Sequence, residues 1–318
     1  MMKFIEDLKK ELKKQHLSDA EIEDIIKDHE DMMKEALEEG HQESDVILRF
    51  GDPALIAKEL SKSSNISDED NMANDTYQLW KSYTPSEESF SLVVKLVSED
   101  LTIQPSKDDH IRILYKGREN IEKYHISYTK GELNIETPKL RSFSLFRNHT
   151  NDMKFIIEVP KELDFKTCNQ HGVSSDLLLH DLKISLLTIN TTSGDCDIKD
   201  SILTDSRWNT VSGDLKASRL HISNLVVSMV SGDLNLEEVH IESDLSISTV
   251  SGDIDIKDSK AETVNFNTVS GDMEAKDFYI ESIKFKSVSG DCNIQNKDKT
   301  PISVLRSSSI SGEIHIKS

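Results

Sequence analysis

One phrase recurs along the second half of the chain with small changes: WNTVSGDLKA, SMVSGDLNL, STVSGDIDI, FNTVSGDMEA and KSVSGDCNI. Aligned on the residue before serine, the copies fall at Val173, Thr192, Val211, Val230, Val250, Val269, Val288 and Ile310, 19 to 22 residues apart. A fixed period near 20 predicts a solenoid with one coil per repeat. The short alternation of Val, Ile and Leu inside each copy predicts β-coils rather than helix pairs. The expected fold is therefore mainly β: a parallel β-helix, or β-solenoid, with 19–20-residue coils.

Alternation also assigns direction. In VSGDIDI, Val250, Gly252, Ile254 and Ile256 share one parity and are expected inside, with Ser251, Asp253 and Asp255 outside. The slot two after glycine holds Cys196, Leu215, Leu234, Ile254, Met273, Cys292 and Ile314. Cys196 and Cys292 thus replace Leu or Ile as small buried hydrophobes. Three residues before the aligned position, Ile189, Trp208, Val227, Ile247, Phe266 and Phe285 should stack into an internal ladder about 4.8 Å apart. Parity changes between these two sets, which places a corner near the Thr-Val step. The repeated glycines (Gly194, Gly213, Gly232, Gly252, Gly271, Gly290 and Gly312) either permit a bent backbone or fill a slot where walls come close. Serine and aspartate are expected to satisfy the turn's own backbone donors.

Residues 1–62 carry a different period. Phe4, Ile5, Leu8 and Leu12 form one helical stripe; Ile22, Ile25, Ile26, His29, Met33 and Leu37 form a second. Ser18 with Glu21 makes a capping box, Leu17 with Ile22 a hydrophobic staple, and Gly40 a stop. A short helix around Val46, Ile47 and Phe50 ends at Gly51, and Asp52 caps a helix whose first residue is Pro53. Residues 63–88 read as a linker, because SKSSNISDEDNMANDT is polar and unpatterned. Residues 89–318 then form the solenoid, regular from about 173.

The formal charge of −20 opposes nonspecific affinity for nucleic acid or anionic membrane. Asp195, Asp214, Asp233, Asp253, Asp272, Asp291 and Glu313 would form a carboxylate column, with neighbours repelling by roughly 1 kcal/mol in water. Backbone capping, salt screening or a bound cation would each relieve this. Calcium takes six to eight oxygens, however, and each coil offers one carboxylate and one hydroxyl. The ~5 Å separation of retaining-glycosidase carboxylates is met by strand spacing in every coil. Catalysis needs two carboxylates in unlike environments, and a regular column does not supply them. Cys168, Cys196 and Cys292 lie too far apart for a Cys-x-x-Cys site. The expectation is no catalytic residue, no cofactor and no metal, with a cation ladder on the six aspartates as the alternative. The final coil, ending SGEIHIKS, offers an open β-edge, expected to be paired in a homodimer or covered by the early strands.

The ladder of VSGD followed by alternating aliphatics resembles the bacterial adhesin-like β-helix family known as domain of unknown function 4097, over roughly residues 90–318. FIEDLKKEL with EGHQESDVILRFGDPALIAKEL resembles the HAAS module, a helical signalling domain, through Gly40, Phe50, Gly51, Asp52, Pro53, Ala57 and Leu60. The pairing implies a non-enzymatic sensor or adaptor linked to PadR-like regulators and cell-envelope stress in Gram-positive bacteria. Its helical domain would dock a protein partner and its solenoid present an acidic surface. A cell-surface adhesin binding envelope polymers is the alternative, followed by a polysaccharide-active enzyme. With no run of about 18 apolar residues and no signal-peptide pattern, no direct membrane insertion is expected. The location expected is cytoplasmic, or the cell surface by a non-classical route.

Overall fold

A computed structural model describes residues 2–15, 19–38, 42–43, 47, 52–64, 76–138, 153–298 and 300–317. The chain divides into two units, Met1–Thr76 with Lys139–His149, and Tyr77–Pro138 with Thr150–Ser318.

The first unit contains α1 (Met2–Lys13), α2 (Asp19–Glu38) and α3 (Pro53–Ser64). The helical spacing of their apolar residues puts Phe4, Ile5, Leu8 and Leu12 into one core with Ile22, Ile26, Met33 and Ala57. His29 is half-buried on that stripe, its Nδ1 2.7 Å from the Ile25 carbonyl, and so serves as a core residue. Asp52 caps α3, its Oδ1 accepting the Ala54 N–H at 2.8 Å. Pro53 fits the first helical position, where no N–H is needed. Leu17, Ser18, Gly40, Val46, Phe50 and Gly51 lie outside the described residues.

The second unit opens with β1 (Gln78–Tyr83), β2 (Ser89–Lys95), β3 (Asp100–Pro105), β4 (Ile111–Lys116), β5 (His125–Thr129), β6 (Glu132–Glu136) and β7 (Lys154–Val159). The coils follow as β8 (Asp164–His171), β9 (Leu177–His180), β10 (Lys183–Thr191), β11 (Cys196–Lys199), β12 (Ile202–Thr210), β13 (Leu215–Ser228) and β14 (Leu234–Ile241). They continue as β15 (Asp244–Ser248), β16 (Ile254–Asn267), β17 (Met273–Lys286), β18 (Cys292–Gln295), β19 (Ser303–Ser308) and β20 (Ile314–Lys317). From β8 onward each strand pairs in parallel with its equivalent one coil along, so Ile189, Trp208, Val227, Ile247, Phe266 and Phe285 lie in register. All six are buried, and the Phe266 and Phe285 rings stack with centroids 5.7 Å apart.

Strand β1 falls inside the stretch read as a linker and pairs antiparallel with β4. Only Trp80 and Tyr83 of its six residues are even half-buried, so it carries no clean alternation. Strand β4 in turn pairs antiparallel with β7, which runs parallel beside β3; β5 is antiparallel to β6, which lies beside β2. Strands β4 to β7 therefore extend and close the end of the stack where β2 and β3 meet β8 and β9. The early strands thus close the first coil and do not cover the last. The reason is that β2 and β3 themselves form a coil preceding the Val173 copy.

Two corners recur in every coil. One is the VSGD corner; the other holds Asp181, Asp200, Arg219, Glu238, Asp258 and Asp277, all with φ between 48° and 56°. These are left-handed positions occupied without glycine, where side-chain bonds help hold the turn. At one of them Arg219 donates from Nε and Nη2 to both oxygens of Asp200, at 2.6 and 2.8 Å.

One core position breaks the apolar rule. Gln170 precedes Ile189 in the internal ladder and is fully buried, and neither its Oε1 nor its Nε2 finds a partner. A buried amide without hydrogen bonds costs about 1–3 kcal/mol. Gln170→Met keeps the volume and removes the polar atoms, so it is expected to raise the urea midpoint. A midpoint that falls would show that the amide makes a bond worth more than its burial costs.

Candidate functional site

Each residue of the repeat has a separate structural task. The threonine before valine points inward: Thr191, Thr210, Thr249 and Thr268 accept the N–H of Gly194, Gly213, Gly252 and Gly271 at Oγ1, at 2.8–3.1 Å. This short loop turns the chain, and alternation restarts after it. Valine is consequently outside, contrary to the inward place its parity assigned. Val173, Val211, Val230, Val250, Val269 and Val288 are 42–48% exposed and form an apolar column along the corner.

Serine and aspartate bond to the neighbouring coil and not to their own turn, which corrects the expectation for them. Both the N–H and the Oγ–H of Ser251 donate to the Val230 carbonyl, at 2.9 and 3.3 Å, and Ser212, Ser231, Ser270, Ser289 and Ser311 repeat the pattern. Each aspartate Oδ1 accepts the N–H of the next aspartate in the column: Asp195 from Asp214, Asp214 from Asp233, Asp233 from Asp253, Asp253 from Asp272, and Asp272 from Asp291, at 2.7–3.1 Å. Asp291 receives the N–H of Glu313. One oxygen of each aspartate in the column is thus committed to the backbone, and charge-assisted bonds of this kind offset the mutual repulsion. Among the described residues, no group of three or more His, Cys, Asp or Glu is placed to hold a metal ion.

The glycine column fills a close approach. None of these glycines has a positive φ; a Cβ on Gly252 would overlap the carbonyl oxygen of Gly232 one coil before. The thiols of Cys168, Cys196 and Cys292 are all buried, and burial pushes each up to about 12, so they remain protonated packing groups.

Charge is segregated on the outer surface. Two register columns lead into the VSGD corner: Val93, Asn169, Thr188, Arg207, Val226, Ser246, Asn265, Lys284, Arg306, and Lys95, His171, Asn190, Asn209, Ser228, Ser248, Asn267, Lys286, Ser308. Between β2 and β19 neither contains a carboxylate, in a chain of formal charge −20; Glu136 of β6 continues the second column beside Lys95. Beyond the corner, Asp197, Lys216, Asn235, Asp255, Glu274 and Asn293 continue beside the aspartate column. The valine column therefore separates two carboxylate-free columns from the aspartate column.

A third cluster brings together two histidines that stand far apart in the sequence. His221 and His240 lie one coil apart with ring centroids 4.6 Å from each other. His221 Nε2 is 2.7 Å from Glu242 Oε1, and Ser223 Oγ donates to Glu242 Oε2 at 2.6 Å. These bonds from Ser223 and His221 hold the Glu242 carboxyl below its usual range; burial, with Lys260 and His221 nearby, lowers His240. Ser223 bonds to the carboxylate and not to an imidazole, so the trio lacks the nucleophile–base contact of a hydrolase. The signal available was the 19-residue separation of the two histidines, one repeat period.

Residues 90–318 match the family model described as Toastrack DUF4097, and residues 3–59 match the model described as HAAS. No curated protein matches the chain. A solved structure from Parabacteroides distasonis ATCC 8503, named a candidate lipid binding protein, is 17% identical over 77% of this chain and 98% of that one, with a TM-score of 0.53. Another from Parabacteroides merdae ATCC 43184, named a candidate adhesin, is 18% identical over the same shares, 77% and 98%, with a TM-score of 0.50. At these identities the likeness is one of fold. Among the described residues, no helix is long and apolar enough to cross a membrane.

Proposed function

The chain belongs to the Toastrack DUF4097 family, and on that premise we propose that it is a non-enzymatic binding protein acting as an adaptor in cell-envelope stress signalling in the cytoplasm. Its helical unit docks a protein partner of the PadR-like regulator class, and the acidic side of its solenoid receives a basic ligand. The observation that carries the docking role is Leu55. It stands 64% exposed on α3, in the segment that matches HAAS, beside the buried helical core. Covering its side chain with a partner removes apolar surface from water. Leu55→Asp in the full chain is expected to abolish copurification of the PadR-like regulator while leaving the melting temperature unchanged. Undiminished copurification would overturn the docking role, and recovery of the protein only from the envelope fraction would overturn the location.

A second reading, a surface adhesin for anionic envelope polymers, is favoured by one observation. Arg207, Lys284, Lys286 and Arg306 all lie in the two carboxylate-free columns, and none makes an ion pair among the described residues. Elsewhere on the solenoid Lys199, Arg219, Lys257 and Lys297 are paired with acids.

A further inference from the structure

The last coil is built differently from the others at its inward positions. Cys292 and Ile294 of β18 are fully buried, whereas Ile314 and Ile316, their partners in β20, remain partly exposed. Leu305 in β19 and Ile310 at the last corner are 55% and 84% exposed. Among the described residues, β19 pairs only with β17 and β20 only with β18. One edge of each strand therefore presents unsatisfied N–H and C=O groups beside open apolar surface, a combination that draws in another strand.

The sequence of β20 and the residue before it is self-complementary. If a second β20 lies antiparallel to the first about a two-fold axis through His315, Glu313 faces Lys317 of the other copy, and Lys317 faces its Glu313. Ile314 faces Ile316 in both directions, so the four isoleucines continue the solenoid core across the junction. A two-fold axis perpendicular to the sheet keeps inward residues inward and outward residues outward. Such a contact is isologous and closes at two copies. Head-to-tail growth is blocked, because the first coil is sealed by strands β4 to β7. We propose that two copies of this chain join end to end through antiparallel pairing of β20, in the register that sets Glu313 against Lys317. The occupant of the open end is thus a second copy, and this does not depend on what α3 or the solenoid sides bind.

Sedimentation velocity on the full chain tests it. The wild type is expected to be a dimer at low-micromolar concentration. Glu313→Lys and Lys317→Glu each set like charges against each other at two places, so each variant should associate at least about tenfold more weakly. Mixed in equal amounts, the two variants should dimerise with each other, because each charged position of one variant then meets the opposite charge on the other. His315→Cys should give a disulfide-linked dimer under mild oxidation, since the two residues face each other across the axis. A monomeric wild type, variants as dimeric as the wild type, or a mixture that stays monomeric would each overturn the proposal. A further segment of chain or a different protein seated on β20 would give the first of those outcomes.

Discussion

Gly252→Ala is expected to destabilise the solenoid by about 3–5 kcal/mol, at the upper end of what a single methyl group does. The added carbon overlaps the Gly232 carbonyl oxygen. Backbone meets backbone here, so no rotamer change relieves the clash. Relief requires parting two coils that three backbone donors join at this corner. These are Ser251 N–H to the Val230 carbonyl, Asp253 N–H to Asp233 Oδ1, and Leu234 N–H to the Asp253 carbonyl. Because solenoid stability is a sum of neighbouring interfaces, the loss should be local. Hydrogen exchange should show protection falling most at residues 230–273, with the coils near β8 less affected. The control is Val250→Ser, two residues away on the exposed column, which is expected to stay within about 0.5 kcal/mol. An alanine variant that unfolds within about 1 kcal/mol of the wild type would mean that the coils are spaced more loosely than they stand here.

That contrast between adjacent positions shows what the sequence made legible. Strict parity located Ile254, Ile256 and the Trp208–Phe285 ladder, because strand side chains must alternate. It misplaced Val250, because parity is only transmitted through extended backbone. Thr249 bonds to the Gly252 N–H within a bend and resets the count. The parity change placed a corner near the Thr-Val step, but the residue types do not say on which side of the bend valine falls, since threonine and valine both suit strands. The second corner was silent for a related reason. Asp200, Arg219 and Asp258 take left-handed φ without glycine, and hydrogen-bonding across coils substitutes for the usual residue. The two carboxylate-free columns were unreadable until register was known, because each draws one residue from each coil.

The most informative omission is LVSEDLTI, residues 96–103, a degenerate copy of the repeat with glutamate in the glycine position. The structure treats it as one. Ser174 donates its N–H and Oγ–H to the Val97 carbonyl as later serines do, and Leu101 aligns with Leu177. No earlier copy of the repeat lies beneath this one, which leaves space; the close backbone approach that demands glycine begins at Gly194, over Ser175. Glu99 uses that space: fully buried, its Oε2 accepts the N–H groups of Val97 and Ser98 at 2.8 and 3.1 Å and the Thr137 hydroxyl at 3.0 Å. Its Oε1 accepts the Tyr124 hydroxyl at 2.9 Å, and its own carbonyl accepts the Ser175 hydroxyl. One carboxylate thus caps the glycine column and ties to it the segments carrying Tyr124 and Thr137. Glu99→Leu removes the acceptor shared by two N–H groups and the Tyr124 and Thr137 hydroxyls and is expected to cost about 3–5 kcal/mol. Glu99→Gln keeps an oxygen for the two N–H groups, and Tyr124 can turn to accept from the new amide, so about 1–2 kcal/mol is expected. Urea midpoints give the two losses, and tyrosine fluorescence should report Tyr124 entering solvent in the leucine variant alone. Equal losses for both variants would show that packing volume, and not the carboxylate's acceptor geometry, holds the first coil closed.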